Sequence, residues 1–209
     1  VWNRAWLLLV MATLLFGANG VASRLAVGRI TPMSLVFCRW LLVCTALSIA
    51  LRSALARDRN VLLASKWRIL AMAGLGFTGF STLFYMAGYW STALNITLIQ
   101  ASIPPFVLAG AALSRKVRVT PMQLVGLVVT LAGVALIATH GEPLRIAEIQ
   151  FNPGDILILI ACALYAGYTL ALRERPAVPP LVFFAALAIA AFLTSIPALC
   201  VEIGIGRFH

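Results

Sequence analysis

Few side chains in this sequence can do chemistry, and they lie scattered along apolar stretches. Arg39 is the one charge well inside such a stretch. A guanidinium in hydrocarbon is costly, so it faces a cavity, a carbonyl or a partner, or it snorkels to the surface. Two readings stand side by side: a structural cation reaching the outer surface or backbone carbonyls, and a contact for an anionic group of a solute. Asn19, Asn95 and Gln100 place amides inside or at the edge of apolar stretches. Hydrogen bonds between helices are the commoner use of such amides, and Gln100 is the best placed of the three to meet a ligand. Tyr85, Trp90, Tyr165 and Tyr168 can supply aromatic walls, although Tyr89 and Trp90 stand where rings anchor helices at a membrane interface. Asp58, Glu142, Glu148 and Glu174 read as loop residues, and Asp155 and Glu202 as helix ends. No carboxylate is then left at mid-depth to relay a proton.

Gln100 stands one turn before Pro104 and Pro105, in the charge-free stretch Asn95–Leu113. That stretch is long enough to cross a bilayer as a helix. Two prolines supply no N–H and clash with the preceding turn, leaving the carbonyls of Gln100 and Ala101 without their usual partners. In hydrocarbon such carbonyls must find a neighbouring helix, a side chain or water. The pair therefore marks either a structural kink or the lining of a solute path, as broken helices do in secondary carriers.

Other chemistry is disfavoured. Cys38, Cys44, Cys162 and Cys200 form no C-x-x-C pair, and only His140 and His209 add imidazole. No metal, disulfide framework or cofactor is expected, and the cysteines read as small buried hydrophobes. Neither G-x-S-x-G nor H-E-x-x-H occurs, which argues against an enzyme.

The elements that hold these residues are membrane helices. The chain of 209 residues is 62% hydrophobic with mean hydropathy +1.01, unlike a soluble domain. Seven apolar runs of spanning length can be marked: Ala5–Ala22, Ser34–Leu51, Ile69–Tyr89, Asn95–Leu113, Leu124–Thr139, Asp155–Leu172 and Leu181–Val201. The fifth can extend back to Pro121. Thr31-Pro32, Thr120-Pro121 and Asn152-Pro153 each read as an N-cap with proline at the first helical position. With these runs alternating across a bilayer, eleven Lys or Arg fall on one side and four on the other. The positive-inside rule puts the richer side, and with it the N-terminus, in the cytoplasm. The net charge of +10 thus reports topology and contact with a lipid bilayer, not nucleic acid.

Small residues mark close helix contacts: Gly17 and Gly20 in the first run, Gly74, Gly76 and Gly79 in the third, and Gly126, Thr130 and Gly133 in the fifth. A weak internal repeat aligns Phe16–Arg24 with Tyr165–Arg173. An odd number of spans separates the copies, so the second enters from the opposite side, the signature of an inverted repeat.

Several segments together resemble the EamA-type branch of the drug/metabolite transporter superfamily. Leu15-Phe16-Gly17-Ala18-Asn19 is similar to the family's "W-G-x-N" start of the first helix, with Phe16 where Trp is commoner. Arg39 falls where the family often carries a second-helix arginine. Asn95 to Pro105 resembles its fourth helix, and Gln123-Leu124-Val125-Gly126 with Leu131-Ala132-Gly133-Val134 its fifth. Phe151-Asn152-Pro153-Gly154-Asp155 followed by Tyr165-Ala166 resembles the opening of its second repeat. The resemblance implies ten helices in two inverted sets of five. It also implies export of amino acids, other metabolites or toxic compounds across the bacterial inner membrane; aromatic amino acid exporters are one kind. Two departures stand out: Ser114-Arg115-Lys116 replaces the usual acidic residue after the fourth helix, and only two helices of the second set are present.

The expectation is therefore an all-α polytopic transmembrane helix bundle with seven helices present, truncated from ten. Residues 1–140 form the first five-helix repeat, 141–153 an external loop, and 154–209 the first two helices of an inverted second repeat. The function expected is a secondary carrier of small metabolites working by alternating access, with homo-oligomers possible. Arg39, Gln100, Asn19, Tyr165, Pro104 and Pro105 are expected to line its path. The alternative is a truncated, non-transporting subunit or remnant of such a carrier. A seven-helix receptor places its N-terminus outside, against the charge count. A retinal protein needs a lysine within a helix, whereas Lys66 and Lys116 fall in loops.

Overall fold

The computed structural model describes residues 30–113, 120–138 and 152–204. It also describes Leu7, Val10, Met11, Leu14 and Val21 of the first apolar run, all helical. Every regular element among the described residues is helical.

Helix α1 (Pro32–Ala50) opens with Thr31 extended and Pro32 in the first turn. The proline pre-sets the helical φ, but Thr31 does not cap: its hydroxyl donates to Ser34 Oγ at 2.8 Å. One free N–H of that first turn, on Met33, instead reaches Glu202 Oε1 at 3.5 Å, from the far end of the chain. Two short helices follow, α2 (Arg52–Arg57) and α3 (Arg59–Ala64). Leu51, Ala54, Leu55, Asp58, Leu62 and Ser65 are half-buried at helical spacing, so one face of this segment covers the bundle end.

The third run folds as α4 (Lys66–Ala73), a π-helical turn over Gly74–Gly79, and α5 (Phe80–Ala87). Three glycines in six residues permit the wide turn. Helix α6 (Ala93–Gln100) is capped by Thr92, whose hydroxyl accepts the Asn95 N–H at 3.1 Å. Helix α7 (Ile103–Leu113) completes that run. Helix α8 (Pro121–Ala138) begins at the backward extension expected for the fifth run. Thr120 and Gln123 form a reciprocal capping box there, at 2.9 and 3.3 Å. Asn152 and Asp155 form another at the start of α9 (Pro153–Ala171). A 3-10 turn, Leu172–Glu174, leads on to α10 (Pro180–Gly204).

Five stretches are long and apolar enough to cross a membrane: Pro32–Ala50, Lys66–Ala87, Leu94–Leu113, Pro153–Glu174 and Pro180–Gly204. They correspond to the second, third, fourth, sixth and seventh expected runs. The first run lies largely outside the described residues, as does the first repeat copy, Phe16–Arg24.

The helices pack through small residues. Helix α10 lies along α1 and α4, burying Ala185, Ala188, Ala190 and Ala191. Helix α9 lies against α5, α7 and the π turn. A Cβ at Gly110 would come within 2.5 Å of Leu170 on α9, and one at Gly76 would overlap Tyr168. The glycines of the third run are thus contact residues, as expected. Among the described residues Gly126 and Gly133 make no such contact: a Cβ at either meets nothing within 4 Å. Thr130, between them, donates back to the Gly126 carbonyl at 2.8 Å. The cysteine expectation also needs correction. Cys162 is buried, but Cys38 and Cys200 are exposed, because they fall on the outward faces of α1 and α10.

Two polar ties define the ends of the bundle. At one end Arg68 donates to the Glu174 carbonyl at 2.8 Å and approaches its carboxylate at 3.7 Å. At the other, Ser91 Oγ donates to Asp155 Oδ1 at 2.6 Å, and Gly154 lies against the Ala87 carbonyl. The segments around Arg52–Arg68 and Arg173–Arg175 therefore share one end, as the charge pattern required. That end carries every described Lys and Arg except Arg39.

Candidate functional site

The fourth run is interrupted, but not where the prolines stand. Helix α6 stops at Gln100, a turn occupies Ala101 and Ser102, and α7 starts at Ile103. The last amides of α6 tighten onto carbonyls three residues back, Ala101 N–H to Leu98 at 3.0 Å and Ser102 N–H to Ile99 at 2.9 Å. The ladder restarts with Phe106 N–H donating to Ser102 at 3.1 Å. Pro104 and Pro105 consequently sit in the first turn of a new helix, where an N–H would have no intrahelical acceptor anyway. Part of the break is met from outside: Cys162 Sγ on α9 donates to the Ile99 carbonyl at 3.7 Å.

Gln100, at that break, is 8% exposed, and its Nε2 is buried with no hydrogen-bond partner among the described residues. Leaving a buried amide donor unmade costs about 1–3 kcal/mol. Pro104 is exposed and Pro105 half-buried.

Beside the break runs a continuous wall of rings. Trp40 of α1 stacks on Phe77 of the π turn, centroids 4.7 Å apart and nearly parallel. Phe77 meets Tyr168 of α9 at 4.9 Å, and Tyr168 meets Tyr165 at 5.5 Å. Tyr165 meets Phe80 at 5.1 Å, Phe80 meets Phe84 at 5.6 Å, and Phe84 meets Tyr85 at 5.7 Å. The wall closes on its own start, because Tyr85 Oη accepts a hydrogen bond from Arg39 Nη1 at 3.3 Å, and Arg39 adjoins Trp40. The Arg39 guanidinium carbon is 5.6 Å from the Trp40 ring centroid, within cation–π range. Gly76 makes the wall possible, since only a residue without a Cβ lets Tyr168 lie on the π turn.

Arg39 itself is exposed, and no carboxylate pairs with it among the described residues. Both described ion pairs, Arg57 with Asp58 and Arg68 with Glu174, lie at the cation-rich end. Trp40 is 4% exposed, and its Nε1 is another buried donor without an acceptor among the described residues.

Of the residues singled out in the sequence, the structure thus joins Arg39, Tyr85, Tyr165 and Tyr168 into one wall. It puts Gln100 at the helix break with Pro104 and Pro105 just beyond it, and Asn19 lies outside the described residues. Trp90 does not join the wall: it is 49% exposed beside Tyr89, in keeping with an interfacial anchor. Trp40, Phe77, Phe80 and Phe84 were not anticipated. For Trp40 a signal existed, since Pro32, Val36 and Trp40 repeat at one helical turn and form the buried face of α1.

Apolar helices of spanning length, packed through glycine and alanine, make this a multi-pass helical membrane protein. The EamA-like transporter family model matches residues 3–139, well over half of the chain, and the chain belongs to that family of membrane transporters. It is similar to the "Uncharacterized transporter YyaM" of Bacillus subtilis (strain 168), with 23% identity over 163 residues. That match takes in 78% of this chain and 53% of the relative, so the chain spans about half the length of the curated relative it matches. No solved structure matches it significantly.

Proposed function

We propose that the protein is a secondary carrier that exports small metabolites, such as amino acids or toxic compounds, from the bacterial cytoplasm by alternating access. The observation that carries this reading is the interrupted α6–α7 run set beside the tyrosines of α9. A helix break in hydrocarbon needs an interior or a cavity to satisfy its backbone. Carriers build solute sites at such breaks, near mid-membrane. In this reading Arg39, Gln100 and Tyr165 contact the solute, Pro104 and Pro105 fix the break, and Asn19 faces the same path. The cation-rich end is cytoplasmic by the positive-inside rule, in the inner membrane.

The proposed division is a first repeat over residues 1–140, a connection over 141–153 and the start of an inverted second repeat over 154–209. The family match, ending at residue 139, is in keeping with that boundary. Transport assays on the full chain in proteoliposomes, with a panel of labelled amino acids and other metabolites, test the reading. Saturable, counterflow-competent uptake of at least one solute is expected. Absence of flux for every solute favours the alternative, a non-transporting subunit or remnant.

A further inference from the structure

The charges of the spanning helices are one-sided. Arg39 is the sole charge well inside a span among the described residues. Of the two carboxylates nearest the hydrocarbon, Asp155 is committed through both oxygens at a helix start, and Glu202 through Oε1 alone, its Oε2 being buried without a partner among the described residues. Asp155 accepts from Ser91 Oγ and the Asn152 N–H, and Glu202 accepts from the Met33 N–H. Neither pairs with Arg39. The interior groups still lacking a partner among the described residues include the donors Trp40 Nε1 and Gln100 Nε2. Arg39 and Trp40 are adjacent, and Arg39 stands seven residues into α1, about 10 Å below the helix start at 1.5 Å per residue. A cation held by Tyr85 Oη but without a carboxylate among the described residues, beside a donor that has no acceptor there, is complementary to a ligand oxygen bearing negative charge.

Resting on the carrier reading, we propose that the solute carried is a net-anionic organic molecule. Its anionic oxygens meet Arg39 and the Trp40 N–H, and its apolar body lies along the ring wall. The charge of the solute then supplies the driving force. An inside-negative membrane potential expels an anion without a proton relay, and the carboxylates of the described spans, Asp155, Glu174 and Glu202, stand at span ends rather than at mid-depth. One negative charge across 100 mV gives about a 50-fold equilibrium gradient, from ~2.3 kcal/mol per charge.

Three probes that share a phenyl ring and differ in charge test this: labelled benzenesulfonate, phenylalanine and phenyltrimethylammonium. The full chain is reconstituted in phosphatidylcholine vesicles, and a potassium–valinomycin potential of either sign is imposed. Benzenesulfonate is expected to move toward the positive side, to reverse with the sign of the potential, and to approach the 50-fold limit at 100 mV. Arg39→Gln should lower its flux at least tenfold, and Arg39→Lys should restore part of it. Should Arg39→Gln fail to insert, benzenesulfonate quenching of tryptophan fluorescence in the unaltered protein, lost in Trp40→Phe, reports the same contact. Movement of phenylalanine or phenyltrimethylammonium without benzenesulfonate overturns the anionic assignment and leaves the carrier reading standing. Flux indifferent to the potential does the same. If phosphatidylglycerol in the vesicles abolishes the benzenesulfonate response, Arg39 binds a lipid headgroup and the assignment is overturned. Neither flux nor quenching by benzenesulfonate overturns it as well, and the metabolite panel then decides the carrier reading separately.

Discussion

Ser91 and Asp155, 64 residues apart in the chain, are joined by a 2.6 Å hydrogen bond that fixes the start of α9 to the turn between α5 and α6. Asp155 is 2% exposed, and both of its oxygens are engaged: Oδ1 by Ser91, Oδ2 by the Asn152 N–H at 3.1 Å. A carboxylate at a helix N-terminus also meets the positive end of the helix dipole. The same residue therefore caps α9 and locks α9 onto its neighbour.

Asp155→Ala is accordingly expected to destabilise the protein by about 2–3 kcal/mol, combining a lost cap with a stranded Ser91 hydroxyl. Ser91→Ala should cost less, about 1 kcal/mol. The double variant should cost less than the two singly, because each removes the same contact. Thermal unfolding in detergent, read by aggregation or by tryptophan fluorescence, measures all three.

Two glycine substitutions should separate packing from decoration. Gly76→Ala drives a methyl group into Tyr168, so the π turn and α9 must part. A loss of about 1–3 kcal/mol is expected from such overpacking. Gly126→Ala meets open space and should leave stability within about 0.5 kcal/mol or raise it slightly through helix propensity. Equal losses at both positions would contradict the packing described.

The bundle ends can be addressed from outside. Single cysteines replacing Arg59 or Arg175 should react with an impermeant thiol reagent from the same side of the membrane, and one replacing Thr92 from the opposite side. Cys38, Cys44, Cys162 and Cys200 are first removed. In cells, the Arg59 and Arg175 positions should be protected until the membrane is opened, if the cation-rich end is cytoplasmic. Arg68→Ala should cost no more than about 1 kcal/mol, because Arg68 and Glu174 are both half exposed.

What was legible in the sequence follows its physics. Hydropathy reads the spans because a bilayer demands long apolar runs, and five fall where they were marked. Thr120-Pro121 and Asn152-Pro153 read correctly as caps because a cap is a local device. Thr31-Pro32 looked the same, yet its hydroxyl donates to Ser34, and the Met33 N–H is met instead by Glu202 of α10. Long-range pairings of that kind, Ser91 with Asp155 or Arg39 with Tyr85, leave no local trace. The π turn was missed because its glycines read as packing residues, and they are that too. The proline pair marked the break from its far side: the carbonyls it was read to strand, those of Gln100 and Ala101, lie where α6 ends, and the prolines themselves stand in the first turn of α7, where they are tolerated. Of the solute-path residues, Arg39 and Tyr165 were legible as oddities in an apolar run. Trp40 was not, because a tryptophan in such a run reads as ordinary core.

Trp40 is where structure and proposed function make separable demands. Its ring stacks on Phe77 at 4.7 Å, while its Nε1 has no acceptor among the described residues. Trp40→Ala removes the stack and opens a void, at an expected cost of about 3–5 kcal/mol. Trp40→Phe keeps most of the stack and discards the stranded donor, so stability should change by less than about 1.5 kcal/mol. If the N–H exists to meet a solute oxygen, Trp40→Phe should nevertheless lower the affinity for that solute about tenfold, the worth of one hydrogen bond to a charged group. Gln100→Leu poses the same question at the helix break: stability should hold or rise as a buried, unpaired amide is removed, while flux falls. Unfolding midpoints and flux measured side by side on these variants distinguish a donor kept for a ligand from one merely tolerated by the fold. Unchanged flux in both variants would remove Trp40 and Gln100 from the path.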